Sequence, residues 1–140
     1  MPSSNFTKLI QSFDEDALRR GKQFEKAVKY LLQNDPKYKH VWLWDEFPER
    51  TGPDIGIDLV AKGHDNSLCA IQAKCFDPSR QIPKSEIDSF ISAASPRKYA
   101  HRMLVATTDG LSANARKTLR DNHVTLVLKS SLESLESFWP

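Results

Sequence analysis

Three polar residues, Asp58, Gln72 and Lys74, lie in short apolar stretches that are typical of buried strands. Side chains alternate between the two faces of a strand, so Gln72 and Lys74, two positions apart, point to the same face. Burying polar groups without partners is costly, so this pair requires either a partner or a function. Residues 62–67 contain Gly, Asp and Asn and predict a hairpin loop. The hairpin would set Asp58 across from Gln72 and Lys74. The opposite face of the second strand is predicted to be its apolar side and carries Ile71, Ala73 and Cys75.

An acid, an amide oxygen and a lysine at one place suit the metal-assisted hydrolysis of a phosphodiester. A divalent cation activates water and neutralises developing charge, and Mg²⁺ prefers oxygen ligands while it keeps several waters. Asp58 would supply a carboxylate, Gln72 a side-chain oxygen and Ala73 its backbone carbonyl. Lys74 would orient the attacking water or stabilise the phosphate. The alternative is a buried pair of Asp58 and Lys74 that only satisfies itself.

A further acid, Glu25, lies on a predicted amphipathic helix that runs from about Asp16 to Gln33. Glu25 borders the apolar stripe of this helix, so it could reach toward the metal site and complete its outer shell. The alternative is a solvated ion pair with Lys29, four residues further along the helix. The apolar stripe itself is predicted to consist of Phe24, Ala27, Val28, Leu31 and Leu32.

The rest of the chain predicts a mixed sheet flanked by helices. The early hairpin requires antiparallel strands, and the later alternation of helix and strand requires parallel ones. Residues 1–13 are interpreted as a mobile arm or a short helix, and residues 14–140 as one domain. A capping box of Ser130 and Glu133 predicts a short C-terminal helix. The predicted strands are 41–47, 55–61, 68–76, 102–108 and 124–128, and the other predicted helices are 83–94 and 112–122.

Several surface residues are candidates for contacts with a polyanion. Trp42 and Trp44 share a face of the first predicted strand, where they either belong to the core or stack on bases. For the basic residues the alternative is an ordinary solvated surface. The candidate phosphate contacts are Arg50, Lys84, Arg116, Lys117 and Arg120.

Composition excludes several classes of protein. The chain has 140 residues and a net charge of only +2, which is not typical of a protein that coats nucleic acid nonspecifically. No apolar run approaches the length of a membrane span, and no secretory signal begins the chain, so we expect a cytoplasmic protein. Cys69 and Cys75 lie too far apart along one strand to bond each other, which favours free thiols in a reducing compartment.

The motifs resemble those of a known enzyme superfamily. Asp58 followed by Gln72-Ala73-Lys74 resembles the PD-(D/E)xK nuclease signature in its Gln-x-Lys variant, and the order of elements resembles the αβββαβ restriction-endonuclease-like core of that superfamily. Three segments resemble its Mrr-like branch, namely residues 56–61, 70–74 and 107–112. Three more resemble the N-terminal nuclease domain of Type ISP restriction–modification enzymes and related helicase proteins, namely residues 34–36, 43–48 and 54–58.

This resemblance implies a Mg²⁺-dependent endonuclease that cleaves double-stranded DNA and in which Mn²⁺ substitutes. Asp58, Gln72, Lys74 and Glu25 would be its catalytic residues. In such enzymes a helicase-like ATPase, a methyltransferase and a target-recognition domain follow, and they serve in defence against phages. We therefore expect an excised domain of a larger protein, weak by itself, that dimerises transiently on DNA. Gln72 departs from the usual acid, which leaves open a cleavage-inactive DNA-binding or docking module on the same fold.

Overall fold

Five strands form one mixed sheet in the computed structural model, which describes residues 5–50, 52 and 56–135. The spatial order of the strands equals their order in the chain. The first three strands pair antiparallel and the last three pair parallel, as the sequence predicted. The strands are β1 (Tyr38–Leu43), β2 (Leu59–Gly63), β3 (Leu68–Lys74), β4 (Tyr99–Ala106) and β5 (Val124–Val127).

Helices cover both faces of this sheet, so the predicted mixed sheet with flanking helices is confirmed. None of the described helices combines the length and the hydropathy required of a membrane-spanning segment. A short 3₁₀-helix, Trp44–Glu46, follows β1. The α-helices are α1 (Asn5–Gln11), α2 (Ala17–Gln33), α3 (Lys84–Ala93), α4 (Ala113–Asp121) and α5 (Lys129–Ser134).

Helix α2 begins and packs as its sequence predicted. The Asp16 carboxylate accepts a hydrogen bond from the N–H of Arg19 at 3.0 Å and caps the first turn. The apolar stripe faces the sheet, where it meets residues of β1, β2 and β3 such as Val41, Leu59 and Ile71. Because side chains three and four residues apart share one face of a helix, this spacing buries the whole stripe at once. The residues of this stripe that are buried are Phe24, Val28, Leu31 and Leu32.

Strand β3 is buried on both faces, which corrects the prediction that only the Ile71, Ala73 and Cys75 side is apolar. Leu68 and Ala70 share the face of Gln72 and pack in a second core beneath α3 and α4. The reason is topological, because parallel strands need crossover helices and these helices cover the second face. Gln72 therefore lies inside a core instead of on an open surface.

The first strand ends earlier than predicted. β1 stops at Leu43, where its N–H donates to the Glu46 carboxylate at 2.9 Å, and the chain turns into the 3₁₀-helix. Trp44 is buried in the α3-side core and Trp42 packs against that core, as expected for core residues. The indole Nε1 of Trp44 donates to the carbonyl of Gly52 at 3.0 Å, so it has a partner inside the protein.

The ends of the described chain pack on each other. Of the two alternatives for residues 1–13, a mobile arm or a short helix, the structure has a short helix, α1, whose Phe6 is buried in the same cluster as Leu132 of α5. The predicted capping box of Ser130 and Glu133 is wrong, because α5 begins at Lys129, whereas a helix capped by Ser130 would begin at residue 131. The Ser130 hydroxyl instead donates to Asp109 at 2.7 Å. Phe138, which the sequence also places on this C-terminal helix, lies outside the described residues.

Candidate active site

Asp58 lies where the regular pairing of β2 with β3 ends, one residue before Leu59 opposite Ile71. Its backbone is anchored on both sides, because its N–H donates to the Ile71 carbonyl and its own carbonyl accepts from Trp44, each at 2.9 Å. Its carboxylate Oδ2 accepts the N–H of Ala73 at 2.9 Å. Only 6% of Asp58 is exposed. A buried carboxylate is therefore held at a fixed place beside the end of β3.

The backbone of α3 approaches this segment closely. Gly56, two residues before Asp58, has φ +119°, a conformation that favours glycine. A Cβ at this position would stand 3.2 Å from the carbonyl oxygen of Ser89 and 3.5 Å from Cα of Phe90. The absence of a side chain at Gly56 allows α3 to lie against the segment that carries Asp58.

Gln72 carries a buried oxygen that has no hydrogen-bond partner. The residue is 2% exposed, and its Oε1 is one of the buried side-chain oxygens in the described structure that accept no hydrogen bond. Leaving such a group unpaired costs about 1–3 kcal/mol. The Asp58 carboxylate accepts the N–H of Ala73, the residue that follows Gln72, so the carboxylate lies beside this part of β3. An oxygen ligand is thus available next to a carboxylate.

Lys74 is the last residue of β3 and is half-buried. Its amine forms no ion pair or hydrogen bond with any residue in the described parts of the chain, so it does not form the self-satisfying pair with Asp58 that was the alternative. Lys74 shares its strand face with Gln72 by alternation. The structure therefore brings Asp58, Gln72 and Lys74 to one end of the sheet.

Glu25 lies on α2 at the same end of the sheet. Its side chain is 13% exposed and pairs with Lys22 at 3.4 Å, whereas the Lys29 of the alternative pairs with Glu46 at 2.8 Å. Glu25 lines a pocket of about 150 Å³ together with Trp44. The backbone N–H of Trp44 donates to the carbonyl of Asp58, which connects this pocket to the Asp58 segment. The other lining residues are Lys22, Leu43, Asp45, Arg50 and Gly52, and the pocket does not include Asp58, Gln72 or Lys74.

The predicted phosphate contacts are dispersed, and several already have partners. Lys84 pairs with Asp88 at 3.0 Å and Lys117 pairs with Asp121 at 2.8 Å, each one helical turn away. The other three are arginines: Arg50 donates to the Phe47 carbonyl at 3.1 Å, Arg116 donates to the Asp109 carbonyl at 3.1 Å, and Arg120 is exposed on α4.

The two cysteines are free and protonated. Burial raises the pKa of Cys69 to about 12, and burial also raises the pKa of Cys75, although Thr107 and Arg20 oppose that rise. Thiols with raised pKa values are poor metal ligands at neutral pH. Within the described residues no three His, Cys, Asp or Glu side chains cluster as a metal site. The donor atoms at this end of the sheet are therefore oxygens, chiefly those of Asp58 and Gln72.

One residue at this site was not predicted. Thr107 follows β4 directly and is 2% exposed, and its N–H and hydroxyl both bond to the chain around Lys74. The signal in the sequence was a pair of threonines, Thr107 and Thr108, at the end of an apolar strand. Threonine is β-branched and is common in strands, so strand propensity alone does not show that this pair has a special role.

Known proteins resemble this chain in both sequence and structure. The profile of the family Mrr_cat_2, described as "Restriction endonuclease", matches residues 33–138. A search of curated proteins gave no match. A solved "ATP-dependent Type ISP restriction-modification enzyme LlaBIII bound to DNA" is similar with 31% identity and a TM-score of 0.73 over 94% of this chain. The chain spans only 8% of the length of that enzyme.

Two more distant structures share the fold. The MspJI restriction endonuclease in complex with a 27-mer oligonucleotide has 18% identity and a TM-score of 0.58, and it matches 96% of this chain and 32% of its own. The DNA modification-dependent restriction endonuclease AspBHI has 17% identity and a TM-score of 0.59 over 96% of this chain and 36% of its own. The chain therefore belongs to the Mrr_cat_2 family of restriction endonucleases, within the Mrr-like branch of the PD-(D/E)xK nucleases.

Proposed function

We propose that this domain hydrolyses phosphodiester bonds of double-stranded DNA with the help of a divalent cation, Mg²⁺ or, in its place, Mn²⁺. One observation carries the proposal: the buried Asp58 carboxylate accepts the N–H of Ala73, next to Gln72, whose buried side-chain oxygen has no partner among the described residues. A buried polar atom without a protein partner requires another one, such as a bound cation or an ordered water, since its desolvation is otherwise uncompensated. Hard cations prefer carboxylate and carbonyl oxygens, so this donor set fits Mg²⁺.

Each residue has a defined task in this proposal. Asp58 and Gln72 would hold the cation, together with the backbone carbonyl of Ala73. When bound, the cation supplies an activated water and neutralises charge on the phosphate. Lys74, whose amine forms no ion pair with any described residue, holds the attacking water or a phosphate oxygen. Glu25 acts from α2 by orienting groups of the outer shell.

We further propose that the domain works inside a larger polypeptide. Its net charge of +2 gives little affinity for DNA through counterion release, and Asp58 is the single carboxylate of the proposed ligand set. Tethering to a helicase-like ATPase, a methyltransferase and a target-recognition domain would raise the local concentration of DNA. With one site per domain, each copy nicks one strand, and a double-strand break requires two copies to meet transiently on DNA.

Cleavage of a supercoiled plasmid tests the proposal. The protein is incubated at high concentration with Mg²⁺, with Mn²⁺ or with EDTA, and nicked and linear products are separated on a gel. Nicking is expected with either cation and not with EDTA, and Asp58→Ala should lower the rate by about 100-fold or more because a charged ligand is lost. Equal nicking by the parent and by folded Asp58→Ala would refute the assignment.

The second candidate is a DNA-binding or docking module that does not cleave. Gln72 in place of an acid favours it, because the site then has one negative charge fewer for holding a cation. This candidate predicts that the parent and Asp58→Ala bind duplex DNA equally, with and without Mg²⁺, and that neither nicks plasmid. Cleavage that depends on both Asp58 and the cation would exclude it.

A further inference from the structure

Thr107 joins the end of β4 to the end of β3 through three hydrogen bonds. Its N–H donates to the Lys74 carbonyl at 3.1 Å. Its hydroxyl accepts the N–H of Phe76 at 2.7 Å and donates to the carbonyl of Phe76 at 2.6 Å. With 2% of the residue exposed, water does not compete for these bonds. Thr107 thus holds the backbone on the C-terminal side of Lys74.

The hydroxyl takes the place of a backbone group. In a parallel ladder the N–H and the carbonyl of one residue bond to residues two positions apart on the neighbouring strand. The N–H of Thr107 makes the first of these bonds, to Lys74, but the Thr107 hydroxyl makes the second, to Phe76. A side chain therefore continues the ladder for two residues beyond the end of β3.

Lys74 consequently lies between two anchors. On its N-terminal side, the N–H of Ala73 is bonded to the Asp58 carboxylate. On its C-terminal side, Thr107 fixes both the Lys74 carbonyl and Phe76. Because backbone torsions decide which side-chain rotamers are allowed, these anchors set the direction in which Lys74 leaves the strand. Its amine has no partner of its own among the described residues, so the backbone has to direct it.

We propose that Thr107 is a positioning residue, whose hydroxyl keeps the Lys74 amine in place relative to Asp58 and Gln72. Thr107 acts through Lys74 and does not touch the reacting atoms. The consequence for cleavage rests on the proposed nuclease function, whereas the positioning of Lys74 is a property of the metal-free protein and is measured separately.

The neighbouring threonine provides a matched control. Thr108 is fully buried, and its hydroxyl bonds to the carbonyls of Pro78 and Arg80 and to the N–H of Gly110, at 2.7–3.0 Å. These bonds hold the loop farther along the chain and not the residues next to Lys74. Thr107→Val and Thr108→Val each remove one buried hydroxyl at nearly constant volume, so both variants lose comparable stability.

Single-turnover nicking of plasmid DNA separates positioning from general destabilisation. Thr107→Val is expected to slow the chemical step about tenfold or more while the DNA dissociation constant changes less than about twofold, because orientation and not binding is lost. Thr107→Ser, which keeps the hydroxyl, and Thr108→Val should stay within about threefold of the parent. Nicking by Thr107→Val at the parent rate, or an equal loss in Thr108→Val, would overturn the proposal.

A spectroscopic measurement decides the proposal without any cleavage. The ε-CH₂ signal of Lys74 in protein with ¹³C-labelled lysine is assigned by its disappearance in Lys74→Arg. In the metal-free protein, Thr107→Val should shift or broaden this signal, whereas Thr107→Ser and Thr108→Val leave it in place. An unchanged signal in folded Thr107→Val overturns the positioning role. If the parent and Asp58→Ala nick equally, the proposed function fails, but the NMR result still decides the role of Thr107.

Discussion

The two ends of the β2–β3 hairpin each contain an aspartate, and the two aspartates have opposite surroundings. At the turn, exposed Asp65 accepts hydrogen bonds from the N–H of Ser67 at 3.0 Å and from its hydroxyl at 2.6 Å. At the open end, buried Asp58 accepts the N–H of Ala73, fifteen residues away in sequence. Among the described residues, the side-chain oxygen of nearby Gln72 has no hydrogen-bond partner and the Lys74 amine has no counterion.

This difference distinguishes a structural acid from a candidate ligand. The turn satisfies its acid within two residues, which is the ordinary behaviour of Asp in tight turns. The adjacent Asn66 has φ +70°, a conformation that Asn adopts more readily than most residues. At the open end, the buried Gln72 oxygen and the half-buried Lys74 amine have no partners among the described residues. A buried polar group without a hydrogen-bond partner is costly, and we therefore expect such groups where a ligand binds.

Of the variants at the two ends of the hairpin, Lys74→Ala should have the largest effect on nicking. The amine is proposed to hold the attacking water or a phosphate oxygen, so its removal should lower nicking about 100-fold or more. Because the amine has no ion-pair partner among the described residues, stability should shift by less than about 0.5 kcal/mol. Lys129→Ala is the matched control, since it removes the same charge from a half-buried lysine that pairs with Glu133 and is not a candidate phosphate contact. The measurements are plasmid nicking and thermal unfolding. Equal activity of the two variants would remove Lys74 from the mechanism.

Changing the buried amide sharpens the comparison at the open end itself. Gln72→Glu places a carboxylate next to Asp58, so without a cation the melting temperature should fall by about 4 °C or more. Added Mg²⁺ should then raise the melting temperature more than it does for the parent, because the site binds the cation more tightly.

Gln72→Leu is the counterpart, since it removes the unpartnered oxygen. Its metal-free melting temperature should equal or exceed that of the parent, while its nicking is lost. The measurement is thermal unfolding in EDTA and across a Mg²⁺ titration, beside the plasmid assay. A smaller Mg²⁺ response of Gln72→Glu than of the parent would contradict the assignment of Gln72 as a ligand.

A smaller effect is expected on α4, away from the hairpin. Arg120→Ala should weaken duplex binding severalfold and lower the slope of log affinity against log salt by about one if Arg120 contacts a phosphate. Lys117→Ala should change the slope less, because Asp121 already neutralises Lys117. Fluorescence anisotropy between about 50 and 200 mM salt, in the Asp58→Ala background, measures both slopes. Identical slopes for the parent and Arg120→Ala would place α4 outside the DNA interface.

The smallest effect is expected at the turn. Hydrogen bonds from the hydroxyl and then the N–H of Ser67 lower the pKa of Asp65 in the folded protein. A lowered pKa stabilises the fold above the unfolded pKa of about 3.9, and this contribution disappears as the pH falls through the folded pKa. Asp65→Ala should therefore lower the melting temperature slightly at pH 7 and less as the pH falls below 4. Nicking should be unchanged, and a loss of nicking would contradict the division between the two ends.

Much of the architecture could be predicted because its signals are local. Asp16 as the N-cap and the helical spacing of Phe24 and Val28 define α2 without help from distant residues. The capping box at Ser130 failed because a distant residue, Asp109, takes the Ser130 hydroxyl and N–H. A local motif competes with every tertiary partner that the fold brings near, and the sequence does not show those partners.

The sequence by itself determined the hairpin, the mixed sheet and the identity of Asp58, Gln72 and Lys74 as polar residues in apolar strands. These follow from alternation, turn chemistry and the order of elements, all of which act over short separations. Only the tertiary structure decided that both faces of β3 are covered and that Thr107 bonds to Lys74 and Phe76. It also decided that the buried Gln72 oxygen has no partner among the described residues. The physical reason is that burial and hydrogen-bond partners depend on which distant segments the crossover helices and the parallel strands bring together. Thr107 and Phe76, for example, are separated by more than thirty residues in the sequence.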